Sequence, residues 1–100
     1  MSTQETLGTL LEDAKYWETI LGYVANMAHF QSREFCLPTL VHIYSRLEML
    51  YSQIVRRYLD TRLENSSKLQ TYIYNWGYYT KLLADHRKRL DQLQQSQTLY

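Results

Sequence analysis

The sequence contains few residues that break helices. Its 100 residues include three glycines and a single proline. Such a composition favours a small number of long elements joined by short turns. The length is typical of one domain, and 45% hydrophobic with 21% charged residues is typical of a globular protein rather than a disordered or fibrous one.

Cysteine occurs once, at Cys36. A lone cysteine forms no internal disulfide, which excludes the disulfide frameworks of small secreted domains and favours a reducing compartment. The sequence also lacks an uninterrupted apolar run of about 18 residues, and no charged segment leads into an apolar run near residue 1. We therefore expect neither a membrane span nor a signal peptide, and we predict a cytoplasmic protein.

Patterns that indicate catalysis or cofactor binding are missing as well. The histidines and the cysteine form no H-x-x-x-H or C-x-x-C pattern, and none of the Glu-x-x-His pairs of a di-iron bundle. There is no glycine-rich phosphate-binding loop. Glu12 and Asp13 are adjacent, and neighbours on a helix point about 100° apart, so these carboxylates do not converge. We therefore predict a non-enzymatic protein that uses no metal and no other cofactor.

What the sequence does contain is three tracts in which apolar residues recur at alternating spacings of three and four, the pattern of a helix with a buried seam. The seam positions are Leu7, Leu10, Ala14, Trp17, Leu21, Val24 and Ala28; then Leu37, Leu40, Tyr44, Leu47, Tyr51, Ile54 and Tyr58; then Leu69, Tyr72, Trp76, Tyr79, Leu83, His86, Leu90 and Leu93. This spacing predicts an all-α fold of three long antiparallel helices with heptad-like seams, over about 3–30, 38–64 and 67–95.

Local signals predict where these helices begin. Ser2 followed by Glu5 is a capping-box pattern at the start of the first helix. Pro38 fits the first turn of the second helix, where its missing N–H costs nothing. The polar run LENSSK favours a turn before the third helix, with one of its serines as the cap. Because that run has no glycine or proline, one continuous helix over 38–95 remains an alternative.

The segment LQTYIYNWGYYTKLL, residues 69–83, combines four tyrosines with a tryptophan. Its alternation also suits a β-strand, but Trp76 belongs to a seam that continues to Leu93, and a lone strand has no partner for its backbone groups. We therefore predict a helix with Trp76 facing the core. Gly77 then lies inside a helix at a cost of about 1 kcal/mol relative to alanine. Either a neighbour approaches closely there or the cost is tolerated.

The predicted second helix is apolar well beyond its seam. The additional apolar positions are Val41, Ile43, Leu50, Val55 and Leu59, and the first helix adds Leu11, Tyr16, Ile20 and Met27. So broad an apolar face needs more than one neighbour, and large exposed apolar patches are rare on soluble monomers. We therefore predict that homo-oligomerisation completes the bundle, most simply as a two-fold dimer. His86, the polar residue of the third seam, either keeps its tip in water or fixes the oligomeric state.

The face of the third helix opposite its seam combines aromatic and charged residues at spacings of four and three. These residues are Tyr74, Tyr78, Lys81, Asp85 and Lys88. Tyrosine carries a large apolar ring with a polar tip and is enriched where proteins meet. We therefore predict self-association and the docking of an unidentified protein partner through tyrosine-rich helix faces. The candidate contacts are Tyr74, Tyr78, Lys81 and Lys88.

The alternative function is a double-stranded RNA-binding helical homodimer, because cations beside exposed rings can meet phosphates and stack on bases. Its candidate residues on the second and third helices are Arg46, Arg56, Arg57, Arg62, Arg87, Lys88 and Arg89. In architecture alone, this layout resembles viral RNA-silencing suppressors built from antiparallel helices. A net charge of +1 argues against the alternative. RNA binding is expected to weaken steeply with salt, whereas docking through tyrosine and leucine is not.

Overall fold

The computed structural model describes residues 6–30, 33–60 and 67–98, and all of them except Thr6 lie in α-helices. Helix α1 spans Leu7–Phe30, α2 spans Arg33–Asp60 and α3 spans Ser67–Thr98. The all-α prediction is therefore confirmed for the described residues. The aromatic segment 69–83 is helical throughout, so the strand interpretation is excluded.

Helix α2 is the centre of the bundle. Both α1 and α3 pack against it, whereas no described Cα atom of α1 comes within 8 Å of one in α3. Ring contacts join Tyr44 to His86 towards one end of α2 and Tyr58 to Tyr72 towards the other, so α3 runs antiparallel to α2. This packing excludes a single continuous helix over 38–95, because α3 returns along α2. Only two residues separate α1 from α2, which makes these two packed helices antiparallel as well.

The start of α1 lies slightly later in the chain than predicted. The helix begins at Leu7 rather than near residue 3, and Thr6 acts as its N-cap. The backbone N–H of Thr9 donates a hydrogen bond to Thr6 Oγ1 at 3.1 Å, which satisfies one of the free donors of the first turn. The predicted capping box of Ser2 and Glu5 lies outside the described residues.

Helix α2 begins at Arg33, five residues before Pro38, so the prediction that Pro38 occupies its first turn was wrong. A proline at this point removes one backbone hydrogen bond near the helix start. Burial explains why the helix nevertheless extends towards residue 33, because Cys36 and Leu37 are both buried in the core. Burial of a leucine side chain contributes about 1.5–3 kcal/mol, which offsets the lost bond. The predicted end of this helix, near 64, lies outside the described residues.

Helix α3 begins at Ser67, as predicted, and continues to Thr98, three residues beyond the predicted end. All three seams face the core, since every seam residue is buried or half-buried. The seam of α2 is buried along its whole length, which is consistent with a helix that packs against two neighbours.

The broad apolar face of α2 is covered inside the chain. Ile43, Leu50 and Val55 are buried, Val41 is half-buried, and Leu59 is exposed. Because α1 and α3 approach α2 from two sides, they cover most of the apolar surface from which we predicted a dimer. The apolar surface of α2 is therefore mostly covered within a single chain, and self-association would need a different surface.

Exposed apolar side chains lie mainly elsewhere. On α1 they are Tyr16, Tyr23 and Met27; on α3 they are Ile73, Tyr74 and Tyr78; on α2 they are Phe35, Met49 and Leu59. The bundle is also elongated, with a radius of gyration of 16.1 Å, against about 13 Å for a compact domain of this length. An elongated bundle exposes much surface per residue, so α1 and α3 offer long outer faces.

Candidate functional site: a glutamate–tyrosine centre and two aromatic faces

A half-buried carboxylate lies where the three helices meet. Glu18 of α1 accepts a hydrogen bond from the Tyr51 hydroxyl of α2 at 3.0 Å and another from the Tyr79 hydroxyl of α3 at 2.7 Å. The two tyrosines are 4% and 7% exposed, and their rings stack with centroids 5.6 Å apart. Hydrogen bonds to an ionised group contribute about 1.5–3 kcal/mol each. Glu18 therefore connects α1 to α3 through side-chain hydrogen bonds, although the backbones of these two helices are not in contact.

The environment of this centre favours protonated phenols. Burial raises the pKa of Tyr51 well above the ordinary tyrosine value, and the negative charge of Glu18 raises it further. Burial and the hydrogen bond to Glu18 raise the pKa of Tyr79 in the same direction. Both hydroxyls thus remain donors to Glu18 at neutral pH. A tyrosine that serves as a nucleophile or general base needs a pKa shifted in the opposite direction.

The Tyr51–Tyr79 pair belongs to a continuous row of rings between α2 and α3, which we call the tyrosine row. In order along the interface, its members are Tyr58, Tyr72, Tyr51, Tyr79, Tyr44 and His86, with successive centroids 5.4, 6.1, 5.6, 6.3 and 4.9 Å apart. These separations are within the favourable range for ring pairs, about 4.5–7 Å. The row accounts for half of the ten tyrosines, so packing inside the bundle is one reason why the chain is rich in tyrosine.

Two seam residues of α3, Trp76 and His86, make hydrogen bonds through their ring nitrogens. Trp76 faces α2, as predicted, and its indole N–H donates to Glu48 Oε1 at 3.1 Å. The Nδ1 atom of His86 lies 2.8 Å from the carbonyl oxygen of Leu82 in the preceding turn. His86 therefore occupies the seam with one ring nitrogen bonded to its own helix. Its role in fixing the oligomeric state remains a prediction.

The interface between α1 and α2 contains one of the candidate RNA-binding residues. The guanidinium carbon of Arg46 lies 5.6 Å from the ring centroid of Trp17, in the range of a cation–π contact. His42 packs edge-on against the same ring at 5.6 Å. Arg46 is exposed but already engaged with Trp17, so a phosphate would have to share it with the tryptophan.

The other candidate RNA-binding cations do not form one stripe. Those that are exposed are Arg56, Arg87, Lys88 and Arg89, whereas Arg57 is half-buried and Arg62 lies outside the described residues. Consecutive helix residues point about 100° apart, so the three cations of the HRKR run point to different sides of α3. The three cations of the HRKR run therefore do not lie on one side of α3.

The outer side of α3 carries the residues predicted to bind a partner. We define the α3 face as Tyr74, Tyr78, Lys81, Asp85 and Lys88; all five side chains are exposed, as their spacing predicts. Tyr74 is 71% and Tyr78 is 50% exposed. Their rings stack at 6.4 Å with planes 10° apart, and Tyr78 meets Tyr79 edge-on at 5.4 Å. This pair of rings thus extends the buried tyrosine row to the surface.

Helix α1 carries a second surface of this type. We define the α1 face as Tyr16, Ile20, Tyr23 and Met27, which follow one another at spacings of four, three and four. Tyr16 is 62%, Tyr23 69% and Met27 47% exposed, and Ile20 is half-buried. Sequence reasoning noted the other three as apolar surplus but missed Tyr23, although Tyr23 completes the same spacing.

Glu18 was also missed by sequence reasoning. It lies between the seam residues Trp17 and Leu21, where an acidic residue looks like an ordinary surface charge. Its hydrogen bond to Tyr79 joins residues 61 positions apart. No local pattern carries that information, because it depends on how α1 and α3 are placed around α2.

Other kinds of site are not apparent in the described part of the chain. Among residues 6–30, 33–60 and 67–98, no three His, Cys, Asp or Glu side chains lie together in a way that could hold a metal ion. None of the described helices combines the length and the hydrophobicity needed to traverse a lipid bilayer. Cys36 is a free thiol buried in the core.

The chain was compared with models of known protein families, with curated protein sequences and with solved structures. None of the three comparisons gave a match.

Proposed function

We propose that this chain is a small, non-enzymatic cytoplasmic interaction protein that acts by self-association and by docking a protein partner on its tyrosine-rich helix faces. The observation that carries the proposal is the exposure of Tyr74 and Tyr78 as a stacked pair on the α3 face. A tyrosine that is fully buried removes about 150–250 Å² of surface from water, and Tyr74 and Tyr78 still expose 71% and 50% of theirs. A standard interface buries about 800 Å² on each partner, so the two rings supply roughly a quarter to a third of one, and the neighbouring lysine stems add to it.

Two separate faces support a bridging mechanism. The α3 face and the α1 face are on two different helices, each of which packs against α2. A chain that self-associates through one face can therefore present the other to a different protein. Its effect follows from occupancy and bridging, with no chemical step. The protonated phenols around Glu18 are consistent with a structural role for the interior.

The test is sedimentation equilibrium of the full chain over a wide concentration range, at about 50 mM and about 200 mM salt. We expect the mass to rise from monomer towards dimer with concentration, and to depend on salt much less steeply than RNA binding does, because protein association releases no condensed counterions from a phosphate backbone. The control is the double variant Tyr74→Ser/Tyr16→Ser, which removes one exposed ring from each face and should weaken association.

A second measurement decides between this proposal and the RNA-binding alternative. Duplex RNA is titrated into the protein at the same two salt concentrations. We expect no binding of duplex RNA at either salt concentration. A protein that stays monomeric alone and binds duplex RNA with an affinity that falls steeply with salt would refute the proposal, because released counterions then provide the driving force.

A further inference from the structure

We infer that the α3 face is the self-association surface, and that it pairs with the α3 face of a second copy in an antiparallel, two-fold arrangement. This inference rests on the proposed function and names the surface that performs its self-association step. The occupant is a second copy of this chain because the face is complementary to itself, and that complementarity lies in the order of its residues.

The α3 face has different chemistry at its two ends. Tyr74 and Tyr78 form the half nearer the start of the helix, and the charged residues from Lys81 onwards form the other half. When two such faces meet antiparallel, the rings of each copy lie on the charged half of the other. A two-fold axis between Tyr78 and Lys81 places Tyr78 against Lys81 of the second copy, and Tyr74 against Asp85 of the second copy.

Both of these contacts are chemically favourable. An ammonium group over an aromatic ring is attracted by the negative face of the ring. A tyrosine hydroxyl donates a hydrogen bond to a carboxylate, which is stronger than a bond between neutral groups. The two-fold symmetry repeats each contact, since residue i meets j and j meets i. Four specific contacts thus surround one axis.

A parallel pairing of two α3 faces, and a pairing through the α1 face, lack this complementarity. A parallel, in-register pairing of two α3 faces would place Lys81 on Lys81 and Asp85 on Asp85, and like charges directly opposed are destabilising. The α1 face consists of uncharged residues, so electrostatics favour no register or orientation there. Charge therefore favours an antiparallel pairing of two α3 faces over a parallel one.

Gly77 provides an independent argument. It lies three residues after Tyr74 and four before Lys81, so it is on the same helix surface as both. Apart from its two chain neighbours and the nearby backbone of its own helix, no described atom lies within 4 Å of the position that a Cβ would take at Gly77. Packing inside the chain therefore does not require glycine there. In the antiparallel pairing Gly77 lies within one turn of the axis, where a missing side chain lets two helices approach closely.

The same feature supplies a test with a matched control. Gly22 lies in the middle of α1, away from the α3 face. A Cβ built at Gly22 would likewise have no described atom within 4 Å, apart from its chain neighbours and the nearby backbone of its own helix. Gly77→Ala and Gly22→Ala are each expected to raise the melting temperature of the dilute monomer by roughly 4–8 °C, because alanine is the better helix former. Only Gly77→Ala is expected to raise the dimer dissociation constant, by tenfold or more. Gly22→Ala should leave that constant within about twofold of the parent.

A second pair of variants tests the ring contacts. Tyr78→Ala is expected to raise the dissociation constant by tenfold or more, and Tyr23→Ala, which removes a comparably exposed ring from the α1 face, is not. All dissociation constants come from sedimentation equilibrium, with circular dichroism at low concentration to verify that each variant is folded. Loss of association in the two α3 variants alone supports the inference.

The remaining outcomes separate this inference from the proposed function. Association that is weakened by Tyr23→Ala, or by none of the four substitutions, would show that another surface pairs; the α3 inference would then be wrong while self-association stands. A monomeric mass for the parent chain at every concentration would overturn both.

Discussion

Raising the pH from about 9 to about 11 should destabilise the fold through the centre formed by Glu18, Tyr51 and Tyr79. An unfolded tyrosine loses its proton near its ordinary pKa of about 10. In the folded chain, burial and Glu18 hold the pKa of Tyr51 and Tyr79 well above that value. Above pH 10 the folded state therefore binds more protons than the unfolded state, and the free energy of unfolding falls as pH rises. The stabilisation is fully present below pH 10.

The size of this loss follows from the linkage between pKa and stability. Each buried tyrosine lowers the free energy of unfolding by about 1.4 kcal/mol between pH 9 and 11, so the pair lowers it by about 2.7 kcal/mol. A small domain is typically stable by about 5–15 kcal/mol. The effect is therefore a large share of the total and should be plain in a urea titration.

The assay is urea unfolding followed by circular dichroism, at both pH values, for the parent chain and for Tyr51→Phe/Tyr79→Phe. The double variant should be less stable at pH 9, because Glu18 loses two donors. Its further loss between pH 9 and 11 should be about 2.7 kcal/mol smaller than that of the parent. Tyr16→Phe/Tyr23→Phe, which removes two exposed tyrosines, is the control and should behave like the parent. An equal loss in the parent and in Tyr51→Phe/Tyr79→Phe would refute the reasoning.

Three further predictions concern single side chains. In the dilute monomer, Trp76→Ala should lower the free energy of unfolding by about 3 kcal/mol, which is the lower end for an aromatic truncation because Trp76 is half-buried. Tyr74→Ala should change the free energy of unfolding by about 0.5 kcal/mol or less, and urea titrations of both variants provide the comparison. Glu18→Ala should lower the pKa of Tyr79, measured by tyrosinate absorbance, and an unchanged titration would contradict the assigned cause. If His86 fixes the oligomeric state, His86→Leu should raise the melting temperature and give mixed oligomers on sedimentation at concentrations where the parent chain associates; one unchanged species would show that His86 has no role in oligomeric state.

The positions of the helices and of their seams could be predicted from the sequence because each helix carries its own periodicity. A spacing of three and four residues determines that Trp76 faces inward and Tyr74 outward, whatever the neighbouring helix is. The outward position of the α3 face follows from the same rule. Local rules were weaker at the helix ends, where the burial of Cys36 and Leu37 outweighed the usual place of Pro38 in a first turn.

What the sequence could not reveal is how the helices lie around one another. The sequence predicted two neighbours for α2, but it did not show how much of its apolar surface they cover; α1 and α3 leave only Leu59 of the additional apolar positions exposed. The role of Glu18 also depends on how the helices are placed, because the two hydroxyls that donate to it are on α2 and α3. Interhelical placement is set by the sum of many side-chain contacts, so single-helix periodicity does not predict it.

The gap between the backbones of α1 and α3 also has a consequence for how the chain opens. Helix α1 reaches α3 through side chains such as Glu18, whereas α2 and α3 share the tyrosine row along their length. Amide hydrogens of α1 should therefore exchange through a local opening that leaves the hairpin of α2 and α3 intact, and those of α2 only on global unfolding. Trp17 packs between α1 and α2, and Trp76 between α2 and α3. The two tryptophans are thus separate fluorescent reporters, one for the release of the first helix and one for the melting of the hairpin.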